Sequence, residues 1–353
     1  MGDFLSKSDP VLVTGAAGYV ASWVVKNLLE SGYHVIGTVR SLASKDKYAH
    51  LEALPVGEGG CLELVEADLL KPGSFDEAAS KAKVVIRTAS PFQVNGIKDP
   101  QKELVDPALL GTENVLKAAS ASPSVKRVVL TSSVASIFGD NIDCHKAGGI
   151  LSEENWNESS SLVHQPYSYS KTVAEKAAWK MYESQKGWDL VVINPGFILG
   201  PGLSQRGDSM STGFIKDYMV GQFSRGVPDI EFGFCDVRDV AKAHVLGAEK
   251  AEVKGRHIIV ADHFKMIDIS KILKNEFGDK FPKMPKRVMP TWLLYAFGPL
   301  KGFSWRKIRG NIGYPLKLDN SRSKKDLGMS YGPLEKAVVD QAHKLIEDKL
   351  VRM

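Results

Sequence analysis

The chain has 353 residues, which is enough for one large domain or for a core domain with a smaller lobe. Hydrophobic residues make up 43% and charged residues 25%, close to the globular average, and this balance excludes a disordered or fibrous protein. The net charge of +5 is too modest to predict a nucleic-acid partner. Cys61, Cys144 and Cys235 are widely spaced, so neither a disulfide framework nor a metal site is predicted, and a reducing compartment is favoured.

The N-terminal segment is polar, and the apolar stretch after it is interrupted by Gly15 and Gly18, which makes it a poor secretory signal. No apolar run reaches the roughly 20 residues that a membrane span requires. We therefore expect a cytoplasmic protein without membrane association.

Short apolar runs alternate with helical patterns through the first half of the chain. Strands are predicted at Val11–Thr14, His34–Val39, Leu62–Val65, Val84–Ile86, Lys126–Leu130 and Leu190–Ile193. Helices are predicted at Val20–Glu30, at about Leu104–Ala119 and at about Tyr169–Ser184. This alternation predicts an α/β fold, a Rossmann-type doubly wound parallel sheet with helices on both faces.

The alternation stops after Pro195, where Gly200-Pro-Gly202 is a cluster of breakers. A helix at Val237–Ala248 and a strand at His257–Val260 return to it, and helices with irregular connections follow from about Met266. These breaks predict a nucleotide-binding core, residues 1–195 with a return segment at about 235–265. A smaller, discontinuous C-terminal substrate lobe would comprise residues 196–234 and 266–353.

The first motif with chemical content is the strand–turn–helix sequence of residues 11–21, Val-Leu-Val-Thr-Gly-Ala-Ala-Gly-Tyr-Val-Ala. A pyrophosphate lies on backbone N–H groups at a helix N-terminus, where side chains would block its approach. Glycines at the turn meet this demand, and a small Ala21 lets the helix lie close to the strand. We predict cofactor contacts from Gly15, Ala17, Gly18, Tyr19 and Val20.

The end of the second predicted strand indicates which dinucleotide binds. Sites selective for NAD place an acidic residue here, whereas this chain has Arg40, with Lys45 downstream. A guanidinium can bind a 2′-phosphate through two parallel hydrogen bonds, so NADPH/NADP+ is the predicted cofactor. Asp68 and Leu69 after the third strand are predicted at the adenine. The small residues Thr88, Ala89 and Ser90 after the fourth strand would leave room for the cofactor.

Tyr167 and Lys171 lie four residues apart at the start of a predicted helix and therefore share a face, about 5–6 Å apart. A lysine ammonium near a phenol lowers the pKa of the tyrosine, as a general acid requires. Ser133 follows the C-terminal end of a strand, where ligands bind in parallel sheets. We predict Ser133, Tyr167 and Lys171 to be catalytic, acting on a carbonyl group.

Together these strings resemble the extended short-chain dehydrogenases/reductases, within them the group of dihydroflavonol reductases, yeast methylglyoxal/ketone reductases and fungal carbonyl reductases. The matching strings include Val13-Thr-Gly-Ala-Ala-Gly18, Arg127-Val-Val-Leu-Thr-Ser-Ser133, Tyr167-Ser-Tyr-Ser-Lys171, Ala174-Glu-Lys-Ala-Ala-Trp179 and Asn194-Pro-Gly196, and cover roughly residues 10–265.

The resemblance implies that Ser133 faces the substrate, that Lys171 also binds the nicotinamide ribose, and that Pro195, Gly196 and Ile198 border the nicotinamide. Asn114 occupies a place where the wider family sometimes has a relay asparagine, and we expect a structural role for it.

The sequence departs from those of its relatives at three places: Phe138, the segment Gln165–Tyr169 and Arg87. Plant dihydroflavonol reductases have an asparagine where this chain has Phe138, so a more apolar carbonyl substrate is expected than a flavonoid. Phe92 and Phe138 are predicted at the lip of the substrate pocket, although both residues would equally suit the core. The segment Gln165-Pro-Tyr-Ser-Tyr169 departs from the Asn-Trp-Tyr-Cys-Tyr string of cinnamoyl-CoA reductases, which argues against that assignment. A position that is commonly histidine is Arg87 here.

The function predicted from these residues is NADPH-dependent reduction of a small-molecule aldehyde or ketone by a monomer or homodimer. Two alternatives stay open: a hydroxysteroid-type dehydrogenase that runs oxidatively, and an NADPH-sensing binding protein without turnover. The basic segment 280–310 with its apolar run Pro290–Phe297 would form either a substrate-lobe helix or a membrane-surface helix.

Overall fold

The computed structural model describes residues 4–89, 96–205, 209–299 and 304–352. Strands within these ranges are β1 (Val11–Thr14), β2 (His34–Val39), β3 (Cys61–Glu66), β4 (Val84–Arg87), β5 (Arg127–Thr131), β6 (Asp189–Pro195), β7 (Phe197–Leu199), β8 (Glu231–Asp236), β9 (Gly255–Ile259) and β10 (Asp262–Lys265).

The α-helices are α1 (Tyr19–Glu30), α2 (Ala49–Glu52), α3 (Asp76–Lys81), α4 (Asp106–Ala121), α5 (Ile142–Lys146), α6 (Pro166–Glu183), α7 (Met210–Val220), α8 (Val237–Glu249), α9 (Met266–Phe277), α10 (Thr291–Phe297), α11 (Trp305–Asn311), α12 (Ser321–Asp326) and α13 (Leu334–Glu347). Short 3-10 helices lie at Lys45–Lys47, Val134–Ser136 and Gly278–Lys280, and a π-helical turn, Gln101–Val105, leads into α4.

Seven parallel strands form the central sheet in the order β3-β2-β1-β4-β5-β6-β9. Helices α1 and α8 pack together on one face, and α4 and α6 pack together on the other. The central strands are rich in valine and isoleucine and are buried along their length, as expected of a sheet covered on both sides. Successive strands are added toward one edge of the sheet from β1 to β3 and toward the other edge from β4 onward. A crevice for a ligand therefore opens between β1 and β4, at the carboxyl ends of these parallel strands.

This architecture confirms the predicted Rossmann-type α/β fold. The six strands predicted in the first half are all present, with ends that differ by at most two residues. Helix α6 begins at Pro166, three residues earlier than predicted, because proline suits the first position of a helix. Tyr167 therefore lies in the first turn of α6. The division of the chain into a core and a substrate lobe stays a prediction.

A second sheet was not predicted. It has the order β10-β8-β7, with β7 parallel and β10 antiparallel to β8. Its strands have only three to six residues and follow Pro195-Gly196 and a stretch rich in glycine and serine, so no apolar period marks them. This sheet packs with α7, α9 and α13 around Phe234, Tyr218 and Ile269 in a hydrophobic cluster of its own.

Candidate active site

A large cavity of about 2340 Å³ runs from the turn after β1, across the carboxyl ends of the central strands, to helices α10 and α11. Most residues predicted from the sequence to bind the cofactor or substrate line it: Gly15, Ala17, Gly18, Tyr19, Val20, Arg40, Asp68, Leu69, Thr88, Ala89, Ser133, Phe138, Tyr167, Lys171, Pro195, Gly196 and Ile198. Ser90 and Phe92 lie outside the described residues.

The turn between β1 and α1 leaves its backbone bare toward the cavity. Gly15 has a φ of +61°, and a Cβ atom there would lie 2.9 Å from the Cβ of Ala89. Gly18 is the N-cap of α1, and no side chain caps this helix end. The first N–H groups of α1 thus face the cavity without a protein side chain over them. Such a cradle fits the pyrophosphate of a dinucleotide.

Two aromatic side chains of α1 fix this end of the helix to the loop after β7. The Tyr19 hydroxyl donates to the Gly200 carbonyl oxygen at 2.7 Å, and Trp23 Nε1 donates to the Pro201 carbonyl oxygen at 2.9 Å. Burial raises the pKa of Tyr19 well above its usual range. Tyr19 therefore borders the cavity while its hydroxyl has a structural partner.

The basic residues after β2 differ in what they contact. Arg40 is exposed at the mouth of the cavity, and Lys47 lines it as well. Lys45, which sequence analysis predicts at the cofactor, forms an ion pair with Glu52 at 3.1 Å instead of lining the cavity. The two lysines are the ends of a short 3-10 turn. The site therefore offers Arg40 and Lys47 to an anionic group.

The ends of β3 and β4 form the wall of the half of the cavity that contains Arg40. Asn114 Nδ2 donates to the Leu69 carbonyl oxygen at 2.7 Å, which holds the loop after β3 and agrees with the structural role expected for Asn114. Thr88 Oγ1 donates to the Thr14 carbonyl oxygen at 2.5 Å, tying the end of β4 to β1. These two hydrogen bonds hold the loop after β3 and the end of β4 in fixed positions at the edge of the cavity, as a bound dinucleotide requires.

Ser133, Tyr167 and Lys171 meet in the middle of the cavity. Ser133 begins the 3-10 helix after β5, and its Oγ accepts the N–H of Ala135 at 3.1 Å. The hydroxyls of Ser133 and Tyr167 are hydrogen-bonded to each other. Lys171 is 8% exposed, and its Nζ lies 5.7 Å from the centre of the Tyr167 ring. The two groups on α6 thus stand one turn apart, as their spacing predicts.

Burial dominates the acid–base properties of this pair. It raises the pKa of Tyr167 to about 12, and the hydrogen bond with Ser133 lowers it only in part. Burial and, to a smaller extent, the charge of Arg87 together lower the pKa of Lys171 to about 7, against the opposite effect of Glu175. The pKa of Tyr167 is therefore raised in this structure, whereas the pairing with Lys171 predicts that it is lowered, because burial outweighs the effects that favour the phenolate.

A buried polar network behind the triad involves Glu175, to which sequence analysis assigns no role. Glu175 is 1% exposed and accepts hydrogen bonds from Arg256 Nε at 2.6 Å, Asn194 Nδ2 at 2.9 Å and Ser136 Oγ at 2.5 Å. Ser132 also donates to it. The Ser132 hydroxyl is thus engaged by Glu175, whereas the Ser133 hydroxyl is bonded to Tyr167. Glu175 occurs in the quoted string Ala174–Trp179, but its partners are distant in sequence.

The other half of the cavity is mostly apolar. Its lining includes Phe138, Phe197, Phe214, Phe232, Leu294 and Phe297. Phe138 is half-buried and also packs against the cluster around Ile137, so both roles expected for it are combined. Helix α10 turns Leu293 and Leu294 toward the cavity and leaves Trp292 67% exposed on its outer side. A ligand in this half would be held mainly by aromatic and aliphatic contact.

One polar cluster interrupts this apolar half. Buried Asp140 is bonded to His164 Nε2 at 2.6 Å, Asn311 Nδ2 at 2.6 Å and Gln165 Nε2 at 3.1 Å. Lys307 lines the cavity beside it, and burial lowers the pKa of Lys307 while Asp140 raises it. Because Gln165 directly precedes α6, the cluster also fixes the start of the helix that carries Tyr167.

In the described ranges no three His, Cys, Asp or Glu side chains come together as metal ligands would. No helix in the part of the chain that the structure describes has the length and apolar character needed to cross a bilayer.

Known proteins resemble this chain over nearly its full length. A cinnamoyl-CoA reductase from Medicago truncatula is 35% identical over 347 residues, 97% of each chain. The crystal structure of Gre2 from Candida albicans in complex with NADPH is 32% identical, with a TM-score of 0.76 over 96% of this chain and 99% of that one. The yeast methylglyoxal/isovaleraldehyde reductase Gre2 complexed with NADPH is 28% identical, with a TM-score of 0.76 and the same coverage.

The family model for NAD dependent epimerases/dehydratases matches residues 11–261, from β1 to the residue before β10. This span includes the glycine turn, Ser133, Tyr167 and Lys171. The chain belongs to the NAD dependent epimerase/dehydratase family, the extended short-chain dehydrogenases/reductases that its motifs predict.

Proposed function

We propose that the protein reduces an aldehyde or ketone with NADPH, using Ser133, Tyr167 and Lys171. The observation that carries the proposal is the hydrogen bond between the Ser133 and Tyr167 hydroxyls, with Lys171 one turn away, in one cavity with the bare glycine turn. Two hydroxyls held together at one point suit a single carbonyl oxygen between them.

The activities for which the relatives are named agree with this class. Gre2 is described as a methylglyoxal/isovaleraldehyde reductase complexed with NADPH, and the Medicago protein as a cinnamoyl-CoA reductase. Both names describe reductases of carbonyl compounds, so the predicted oxidoreductase class and NADPH cofactor are supported. The two names refer to different carbonyl substrates, so the substrate of this chain has to be inferred from the residues that line its own cavity.

Each of the three side chains has a distinct task in the proposed reaction. NADPH, when bound, supplies the hydride. Ser133 donates a hydrogen bond to the carbonyl oxygen and orients it against Tyr167. The Tyr167 hydroxyl gives its proton to the oxygen as negative charge develops there. The Lys171 ammonium stabilises the phenolate that results, and it binds the nicotinamide ribose.

The substrate is proposed to be an apolar carbonyl compound. Phe138, Phe197 and Phe232 offer ring faces and edges to the cavity beyond Tyr167, and they exclude water from the reacting group. Lys307 and Asn311 line the far side and offer polar contacts there. This lining suits a hydrophobic aldehyde or ketone better than a polyhydroxylated flavonoid.

A panel of aldehydes and ketones, each mixed with the purified protein and NADPH, tests the proposal through the loss of NADPH absorbance. Turnover of aryl or branched aliphatic carbonyls is the expected result. An absence of NADPH binding by fluorescence quenching would refute the proposal outright. NADPH binding without turnover of any carbonyl would favour an NADPH-sensing protein instead, and preferred oxidation of a secondary alcohol with NAD+ would favour a hydroxysteroid-type dehydrogenase.

Arg40→Ser is expected to raise the Kd for NADPH by about 10- to 100-fold, because a charge-assisted contact with the 2′-phosphate is lost. The Kd for NADH should change by less than about threefold, since NADH has no 2′-phosphate. Lys45→Ser is the matched control, because Glu52 already holds that ammonium at 3.1 Å. Fluorescence titration with both cofactors measures the four constants. Equal effects of the two substitutions on NADPH binding would contradict the assignment of Arg40.

A further inference from the structure

Arg87 is a buried arginine for which the fold offers no evident partner. It is the last residue of β4, in register with Thr14 of β1 and Leu130 of β5, and is 2% exposed. Its Nε and Nη2 atoms are buried and form no hydrogen bond, and it forms no ion pair with an acidic side chain of the described residues. Unsatisfied buried polar groups are rare in native proteins and call for an explanation.

The guanidinium shares a small cavity with the catalytic helix. This second cavity has room for about one water molecule, and it is lined by Arg87, Lys171 and Glu175. Helix α4 contributes only Ala108 and Thr112 to its wall, and the end of β5 contributes Leu130, Thr131 and Ser132, none of which is charged. The ionisable groups around this space are therefore Arg87, Lys171 and Glu175.

The charges in this region do not balance. Glu175 is the acid among them, and it is already bonded to Arg256 at 2.6 Å. His244 is neutral at neutral pH, since burial lowers its pKa to about 4, and Tyr167 keeps its proton. Burial lowers the pKa of Arg87 to about 10, so its charge persists at neutral pH. Two cations, Arg87 and Arg256, and a partly charged Lys171 thus face one carboxylate.

We propose that Arg87 is a positioning residue of the active site, whose permanent charge acts across the shared cavity on Lys171 and makes the lysine a readier proton donor at neutral pH. Its part in turnover rests on the proposed function. After Tyr167 gives its proton to the product oxygen, a phenolate remains. The Lys171 ammonium returns a proton to it and becomes a neutral amine, which regains a proton from solvent. Because Tyr167 has a pKa of about 12, its phenolate is a strong base, and a lysine whose pKa is lowered gives up its proton to it more completely than a lysine with its usual pKa would.

The direct test reads the protonation of Lys171 without any reaction. Protein labelled with [ε-13C]lysine is titrated by NMR, and the Lys171 signal is assigned by its loss in Lys171→Met. In the native protein we expect the signal to titrate near pH 7. In Arg87→Met the midpoint should rise by roughly one pH unit or more, because unit charges within about 12 Å interact this strongly at an effective dielectric constant of about 20.

Arg309→Met is the matched control, since it removes the same charge from the exposed surface of α11 and should leave the midpoint unchanged. Should Arg87→Met fail to fold, Arg87→His gives the same comparison above pH 7, where a buried histidine is neutral. A folded variant whose Lys171 midpoint matches that of the native protein overturns the proposal.

The pH dependence of kcat connects this charge to turnover. Reduction should decline as pH rises through the pKa of Lys171, and the declining limb should move to higher pH in Arg87→Met by the same amount as the NMR midpoint. If the declining limb of the kcat profile stays in place while the NMR midpoint of Lys171 moves, Arg87 has no role in turnover. A native protein that reduces no carbonyl would contradict the proposed function, and the NMR midpoints would still decide whether Arg87 controls Lys171.

Discussion

Tyr167→Phe is expected to lower kcat for carbonyl reduction by about 10²- to 10⁴-fold, the range usually supplied by a positioned general acid. The substitution removes one hydroxyl, which is bonded to Ser133, and keeps the ring in place one turn from Lys171. No other described hydroxyl is held beside Ser133 in the same way, so the proton would have to come from water. The Kd for NADPH should change by less than about threefold, because the glycine turn and Arg40 are untouched.

The comparison that makes this result specific is Tyr169→Phe, which removes a hydroxyl from the same helix two residues further on. Positions 167 and 169 lie on different faces of α6, so Tyr169→Phe should keep kcat within about threefold. Steady-state kinetics and NADPH titration of both variants give the four numbers needed. Reductase activity retained in full by Tyr167→Phe would show that the proposed chemistry is wrong.

The features that could be predicted from the sequence are those encoded locally. The valine-rich strands, the glycines at the β1–α1 turn and the i, i+4 spacing of Tyr167 and Lys171 each depend on a few neighbouring residues. Their meeting in one cavity followed from one general rule, that ligands bind at the carboxyl ends of parallel strands. The strands β7, β8 and β10 escaped prediction because short strands in a glycine-rich segment carry no clear period.

The remainder depends on contacts between distant positions. Glu175 lies four residues after Lys171, but its partners Asn194 and Arg256 come from β6 and β9. Arg87 was noted as a departure from relatives, yet only the structure shows that it is buried and shares a cavity with Lys171. A single sequence gives the type of each residue, whereas burial and charge balance arise from packing that brings separate elements together.

Glu175→Ala is expected to lower the free energy of unfolding by about 3–5 kcal/mol, because it leaves the buried guanidinium of Arg256 without its counter-charge. Arg256 is 6% exposed, so water cannot replace the lost carboxylate, and Ser136 and Asn194 lose an acceptor as well. Domains of this kind are stable by only about 5–15 kcal/mol, so the loss is a large fraction of the total. Urea denaturation followed by circular dichroism measures it.

Two further variants separate the buried charge from other effects of the substitution. Glu30→Ala removes a carboxylate that pairs with Lys26 at 2.7 Å on the surface of α1, and it should cost no more than about 1 kcal/mol. Glu175→Gln keeps the volume and some hydrogen bonds but removes the charge, so its stability should fall between those of Glu30→Ala and Glu175→Ala. If Glu175→Ala were as stable as Glu30→Ala, the carboxylate would not be what holds Arg256 in place. The order of the three variants in free energy of unfolding therefore decides whether charge pairing stabilises the buried network of Glu175 and Arg256 next to Ser133 and Lys171.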